Sequence, residues 1–335
     1  MSFLTMTSPQ LQPVEADRRE FIETGIRGTL SAALATGLAL PFPHVVGAQD
    51  EPEIPEPENV TLETTKDGFV LKATYYGGTN KEDTVPIIMV HDYGEGHGRG
   101  EFHRLALGLQ KARGHAVLVP DLRGHGDSTR RRLPDGSDRD VKYDQLRPTD
   151  FGAMITADLE ETKRFLMRRH NSKQLNIDKL VVVGAGAMGS VVALNWVHQD
   201  WSWKQTPFLK QGQDVKALVL LSPANNFKSL KTQQVFSHPY IAAKLSLMLV
   251  GGRAEQDIKQ LYNKFKAKHA PTPEDEAERV KHQDLFYFLE DTDLRGAALL
   301  APELPVNRNI LQFIDLRIVQ KAEDFPWKSR ERKTE

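Results

Sequence analysis

Lys179–Val192 reads KLVVVGAGAMGSVV, an apolar run, a tight glycine turn and the start of a second apolar stretch. A strand, a turn and a helix are expected there. Taken alone, Gly184, Gly186 and Gly189 satisfy the spacing G-x-G-x-x-G that opens a dinucleotide-binding βαβ unit. That use needs a second strand ending in an acidic residue, roughly 20 residues beyond the motif, to hold the ribose. Here the next apolar run ends Leu220-Leu221-Ser222-Pro223, with no acid. Asp200 precedes a polar, tryptophan-rich loop and ends no strand. Further apolar runs also come before the motif. A dinucleotide-binding oxidoreductase is therefore the weaker reading of this turn, and no cofactor is expected.

Outward from the turn, apolar runs and helical patterns alternate. Val60–Thr64 and Phe69–Tyr75 form an expected strand pair around Lys66-Asp67-Gly68. Val85–Val90 and His115–Pro120 read as buried strands, with Phe102–Ala112 helical between them. Asp150–Arg169 is a long amphipathic helix, and Met188–His198 follows the glycine turn as another. Val215–Leu221 and Leu245–Val250 are further strands, Ala254–His269 a charged helix, Leu285–Leu289 a last strand and Val306–Phe325 a C-terminal helix. This alternation predicts an α/β fold: a mostly parallel, doubly wound sheet of about eight strands, with little or no lid domain. Ligands of such sheets bind at the carboxyl ends of the strands.

Two of those strand ends carry a more specific pattern. Pro120–Ser128 reads PDLRGHGDS and Ile87–Gly94 reads IIMVHDYG. With the strand–turn–helix at Lys179–Val192, they resemble the α/β-hydrolase superfamily in its esterase, lipase and proline-peptidase-like branch. The D-x-R-G-H-G-x-S match is close. The family's H-G-x-G loop appears as His91-Asp92-Tyr93-Gly94, with Asp92 replacing the first glycine. The resemblance covers about Val60 to Phe325 and is weakest after Ser222.

The resemblance implies a nucleophile elbow, G-x-S-x-G, at the glycine turn. Aligning Ala187-Met188-Gly189 with an S-M-G ending puts Ala187 at the nucleophile, and a shift of one residue puts Gly186 there. Neither has a heteroatom with which to form an acyl-enzyme. Ser190 falls three residues late, in the first turn of the helix. The family's histidine follows the last strand, but the last histidine of this chain is His282, and Arg295-Gly296 stands where the family commonly has His-Gly. Arginine stays protonated and has no acceptor, so Arg295 cannot act as the base. Glu255 is nearest the acid position, with Asp257 as a second candidate. The amides of Tyr93 and Met188 would form the oxyanion-hole pair.

What remains is an expected pocket of cationic character, with Arg295 and His91 contacting a carboxylate or other small anion at a helix N-terminus. The simpler expectation for Arg295 is an ion pair with Glu255 that ties two loops together. His91, His97, His103, Asp92, Glu95 and Glu101 suggest a metal cluster, but their spacing matches no standard ligand pattern, and no metal is expected. His125 is expected to fix the D-x-R-G-H-G turn. Trp196, Trp201 and Trp203 read as packing residues.

The 335 residues are 27% charged with a formal net charge of −1, which gives no support for nucleic-acid binding. With no cysteine, disulfides and thiolate chemistry are excluded. Residues 1–48 resemble a twin-arginine export signal: Arg18-Arg19, a small and apolar stretch from Thr29 to Leu40, and Val46-Gly47-Ala48 as a cleavage-like end. The stretch is short against the about 20 apolar residues of a spanning helix, so no other membrane segment is expected, although an uncleaved signal would act as an anchor. Residues 49–59 (from QDEPEIPEPE) read as an extended, solvated acidic linker, 60–325 as the hydrolase-fold domain and 326–335 as a charged, solvated tail. The leading expectation is an exported, non-catalytic hydrolase-fold protein that binds a small molecule or a protein partner, in the periplasm or cell envelope. The alternative is an ester or amide hydrolase using a non-standard residue such as Ser190.

Overall fold

The computed structural model describes residues 53–206 and 210–331. The signal-like segment, the start of the linker and the last four residues lie outside the described residues. The chain enters through β1 (Glu58–Glu63) and β2 (Phe69–Tyr76), an antiparallel pair with Leu62 opposite Leu71. Next come β3 (Pro86–Val90), α1 (His103–Arg113), β4 (Ala116–Pro120) and a hairpin of β5 (Arg130–Arg132) and β6 (Asp138–Asp140). A helical stretch follows, α2 (Pro148–Ala153), a π turn (Met154–Asp158) and α3 (Leu159–Asn171). β7 (Leu180–Ala185) feeds α4 (Gly186–Ser202), and β8 (Val215–Leu221) leads to the two-residue strands β9 (Asn226–Phe227) and β10 (Leu230–Lys231). The remainder is α5 (Pro239–Ala243), β11 (Ser246–Gly252), α6 (Gln256–Lys266), α7 (Glu276–His282), β12 (Leu285–Glu290) and α8 (Val306–Ile314).

Ten strands form one sheet in the order β12-β11-β8-β7-β3-β4-β2-β5-β6, with β1 also on β2. The run from β12 to β4 is parallel throughout. Its strands are apolar on both faces because helices cover both sides. The period of two divides each strand between two cores. Val181 and Val183 pack with Leu105 of α1 and Ile310 of α8, whereas Val182 packs with Leu166 of α3 and Trp196 of α4. The doubly wound sheet expected from the sequence is thus present. Cover over its C-terminal edge is slight: the β9–β10 hairpin leans on the start of α2, where the Ser229 hydroxyl donates to the Pro148 carbonyl (3.0 Å).

Two segments expected to be solvated are anchored instead. In the linker, the Pro55 carbonyl accepts a hydrogen bond from the Gln110 amide (2.9 Å), although the residues around it are exposed. The tail is held more strongly. The Trp327 ring lies against His170 in a tilted arrangement (5.1 Å), and His170 Nε2 donates to the Lys328 carbonyl (2.9 Å). Arg330 reaches the buried Asp178 (2.7 Å) and Asp214 (2.5 Å). The charge run at the C-terminus looks soluble in isolation, but its acidic counterparts lie on the loops before β7 and β8. Among the described residues, no helix is long and apolar enough to cross a membrane.

Candidate functional site

From β3 the chain crosses to β4 on one side, and later elements return to β7 on the other. The crevice above the ends of β3 and β7 is therefore the switch point where open α/β sheets place ligands. The glycine turn sits there, and each glycine has its own steric reason. A Cβ on Gly184 would lie 2.7 Å from the Gly189 carbonyl, and one on Gly189 would lie 2.4 Å from the Val90 carbonyl and 2.6 Å from that of His91. These two glycines let α4 pack against β7 and β3; the G-x-G-x-x-G spacing is a record of close packing. Gly186 has φ +69°, so the left-handed residue of the turn is Gly186, one before Ala187.

Asp92 occupies the space above Gly186. Its Oδ1 accepts the Met188 amide hydrogen bond (2.8 Å), and a Cβ on Gly186 would fall 1.9 Å from its Oδ2. A carboxylate at the N-terminus of a helix is favourably placed against the helix dipole. The Met188 amide, expected to face a ligand oxyanion, is thereby already occupied. Tyr93 is half-buried and donates its hydroxyl to the Tyr143 carbonyl (3.1 Å), with its ring against Phe227 (5.4 Å) and His125 (5.5 Å).

His91, expected to contact a ligand, is fully buried. Nε2 accepts the Leu122 amide (2.9 Å) and Nδ1 donates to the Asp92 carbonyl (2.7 Å), so both ring nitrogens serve the backbone and His91 positions the loop. Burial lowers its pKa to about 3, and burial likewise lowers that of His115 to about 4. Both folded values lie below the unfolded value near 6.5. Their stabilising contribution is therefore complete above about pH 6.5 and is lost as pH falls toward the folded values, by about 1.4 kcal/mol per pH unit for each proton taken up on unfolding. Denaturant titrations between pH 7 and pH 4 are expected to show this decline. His115→Phe is expected to flatten it; an unchanged slope would contradict the assignment.

Beyond Gly186 lies a hollow of 380 Å³. Its walls join the ends of β7, β8, β11 and β12. Glu255 Oε1 accepts the Gly252 amide (2.7 Å) and the Ser222 hydroxyl (2.9 Å). The Ser222 hydroxyl oxygen in turn accepts the Gly296 amide (2.8 Å). Ser222 thus takes the contact with the acid that Arg295 was expected to make. The Arg295–Glu255 ion pair is absent among the described residues, and Arg295 lines the hollow with its guanidinium unpaired there. Ser222, with φ +51°, was not singled out in the sequence; the Ser-Pro dipeptide after β8 is its one visible signal. Asp257 accepts from the Asn225 side chain (2.9 Å). The expected cationic character is not found, because Asp92, Glu255 and Asp257 set three carboxylates against one guanidinium.

The remaining candidates have structural roles. Ser190 is buried and donates to the Gly184 carbonyl (3.2 Å), turned away from the hollow. His125 Nε2 accepts the Gly94 amide (3.3 Å) and Nδ1 donates to the Arg123 carbonyl (3.0 Å), tying the two loops. His282 is exposed on α7 and precedes β12, at the end of the strand opposite the crevice. Trp196 is buried and bonded to Glu160 (2.9 Å), and Trp201 stacks on Tyr240. A neighbouring hollow of 620 Å³ is walled by the Gly94–Glu101 loop and by Asp121, which ties that loop to Asp127 through Arg99. Among the described residues, no group of His, Asp and Glu is arranged to hold a metal.

No curated protein matches this sequence. Solved structures do match. An esterase from Pyrococcus furiosus is 15% identical, covering 78% of this chain and 92% of its own, with a TM-score of 0.52. A dienelactone hydrolase from Anabaena variabilis is 14% identical (80% and 99% covered, TM-score 0.50). The α/β hydrolase GrgF from a Penicillium species is 10% identical (79% and 99% covered, TM-score 0.51). At these identities the likeness is one of fold. The sequence pattern of the α/β-hydrolase fold family matches residues 85–282, spanning the D-x-R-G-H-G loop, the glycine turn and the ends of β7, β8 and β11 beside the hollow, while β12 and Arg295 lie beyond the match. The chain therefore belongs to the α/β-hydrolase fold family.

Proposed function

We propose that this is an exported α/β-hydrolase-fold protein that has lost hydrolysis and uses the crevice above its sheet to bind a small polar molecule. The observation that carries this reading is the Asp92 carboxylate seated over Gly186, where an elbow nucleophile would project. Gly186 and Ala187 supply no nucleophilic atom, and the histidine position holds Arg295. In one well-studied hydrolase, losing nucleophile or base alone costs on the order of a millionfold. The purified protein is expected to show neither fluorophosphonate labelling nor nitrophenyl-ester turnover above a heat-denatured control. Labelling that disappears in Ser190→Ala or Ser222→Ala would overturn the reading.

The same observation supports a second, catalytic reading. Asp92 could serve as a carboxylate nucleophile reaching the elbow from the neighbouring strand. In that reading Asp92 Oδ2 attacks the substrate acyl carbon, the alcohol leaves with a proton from water, and water then hydrolyses the mixed anhydride. Ester turnover with hydroxylamine trapping of the acyl group on Asp92 would favour it, and no turnover removes it.

Export rests on the N-terminal pattern. Exchanging Arg18 and Arg19 for lysine is expected to retain the protein in the cytoplasm of its own cells, as read by fractionation. Unchanged localisation would remove the twin-arginine assignment.

A further inference from the structure

We infer that the crevice recognises a small zwitterion of the amino-acid type, with its carboxylate on Arg295 and its ammonium between Asp92 and Glu255. The inference rests on the non-hydrolytic binding reading and adds the ligand class to it.

Three charged groups with free bonding capacity face one hollow. The Arg295 guanidinium has no carboxylate partner among the described residues. Its main chain is nevertheless held, since the adjacent Gly296 amide donates to Ser222 and the Arg295 carbonyl accepts the Ala298 amide (3.1 Å). Asp92 commits Oδ1 to Met188, and Glu255 commits Oε1 to Gly252 and Ser222. The second oxygen of each carboxylate, Asp92 Oδ2 and Glu255 Oε2, makes no hydrogen bond within the described protein. Asp257 adds negative charge, with its carboxylate spent on Asn225.

Charge balance then selects the ligand. A simple anion gains Arg295 but meets three carboxylates. A simple cation gains the carboxylates but meets the guanidinium. A zwitterion meets both with opposite ends, its carboxylate on the exposed Arg295 and its ammonium on the half-buried Asp92 and Glu255, through charge-assisted hydrogen bonds. The hollow, 380 Å³, is near the lower end of ligand pockets, and Gly186, Ala187, Pro223 and Ala224 leave its remaining wall small and largely apolar. A compact amino acid with a short apolar side chain suits that wall.

The test is isothermal titration of the full chain with three matched compounds: leucine, 4-methylpentanoate without the ammonium, and 3-methylbutylamine without the carboxylate. Glycine, alanine and valine complete the amino-acid arm. At least one amino acid is expected to bind at least tenfold more tightly than either single-charge analogue. Arg295→Gln is expected to erase its advantage over the amine, and Asp92→Asn its advantage over the carboxylate, with each variant's melting temperature measured to confirm folding. If the carboxylate binds as well as the amino acid, the zwitterion assignment falls while the binding function stands. If no amino acid binds, the assignment also falls. If esters are turned over as well, the non-hydrolytic reading falls with it.

Discussion

Replacing Arg123 with methionine is expected to lower the unfolding free energy by about 3–5 kcal/mol, measured by denaturant titration at neutral pH. Arg123 is fully buried beneath the D-x-R-G-H-G loop. Its Nη2 donates to Asp158 Oδ1 (2.6 Å), its Nε to the same carboxylate (3.0 Å) and its Nη1 to Asp67 (2.7 Å). The backbone amide of Arg123 also donates to Asp158 (3.1 Å), and the guanidinium lies over Phe69 (4.9 Å). Asp158 closes the π turn and has no access to water. Removing the guanidinium would strand that carboxylate in the core, and the cost comes from the stranded charge. Arg123→Lys is expected to recover little, because an ammonium cannot span two carboxylates as a planar fork does. Replacing both Arg123→Met and Asp158→Leu is expected to restore part of the loss, since the fully buried carboxylate is gone while the partly exposed Asp67 and the Arg123 amide still lose a partner. A single-variant loss below about 1 kcal/mol, the range of an exposed pair, would contradict the buried-network account.

The sequence made the framework readable because it is built from local signals. Short, valine- and leucine-rich runs such as Lys179–Val183 and Val215–Leu221 have the length and composition of buried strands, and their alternation with helical patterns sets the winding. The family motifs are also local, and each lies at a strand end. The contents of the crevice were harder to read, because they depend on which strand ends meet. Asp92 in an H-G-x-G loop reads as one lost glycine. That its carboxylate fills the space over Gly186 follows only when β3 and β7 lie side by side. Glu255 and Arg295 occupy positions that suggest partners, yet Ser222 arrives from β8 and intercepts the acid. The tail shows the same limit: Arg330 finds Asp178 and Asp214 more than a hundred residues upstream, and no periodicity connects them.

The Asp92–Met188 contact can itself be tested through the packing beneath it. Gly189→Ala is expected to destabilise the protein by about 1–3 kcal/mol, the usual cost of overpacking a tight core. A methyl group there would meet the Val90 and His91 carbonyls, 2.4 and 2.6 Å away, and backbone cannot swing aside as a flexible side chain would. Gly108→Ala provides the contrast. It lies within α1, where a Cβ meets nothing within 4 Å, and alanine there is expected to stabilise by roughly 0.5–1 kcal/mol. If Gly189 served a dinucleotide phosphate, alanine would cost binding and little stability. Packing predicts the reverse order of effects, with the melting temperature falling first. The displacement would also reach the site, because the carbonyls that must yield belong to the two residues before Asp92. Moving them draws the Asp92 carboxylate off the Met188 amide and away from the hollow. Gly189→Ala should therefore weaken any crevice ligand that Asp92 contacts, even though residue 189 does not line the hollow. A Gly189→Ala protein with wild-type stability would mean that β3, α4 and the glycine turn are not packed as closely as this account requires.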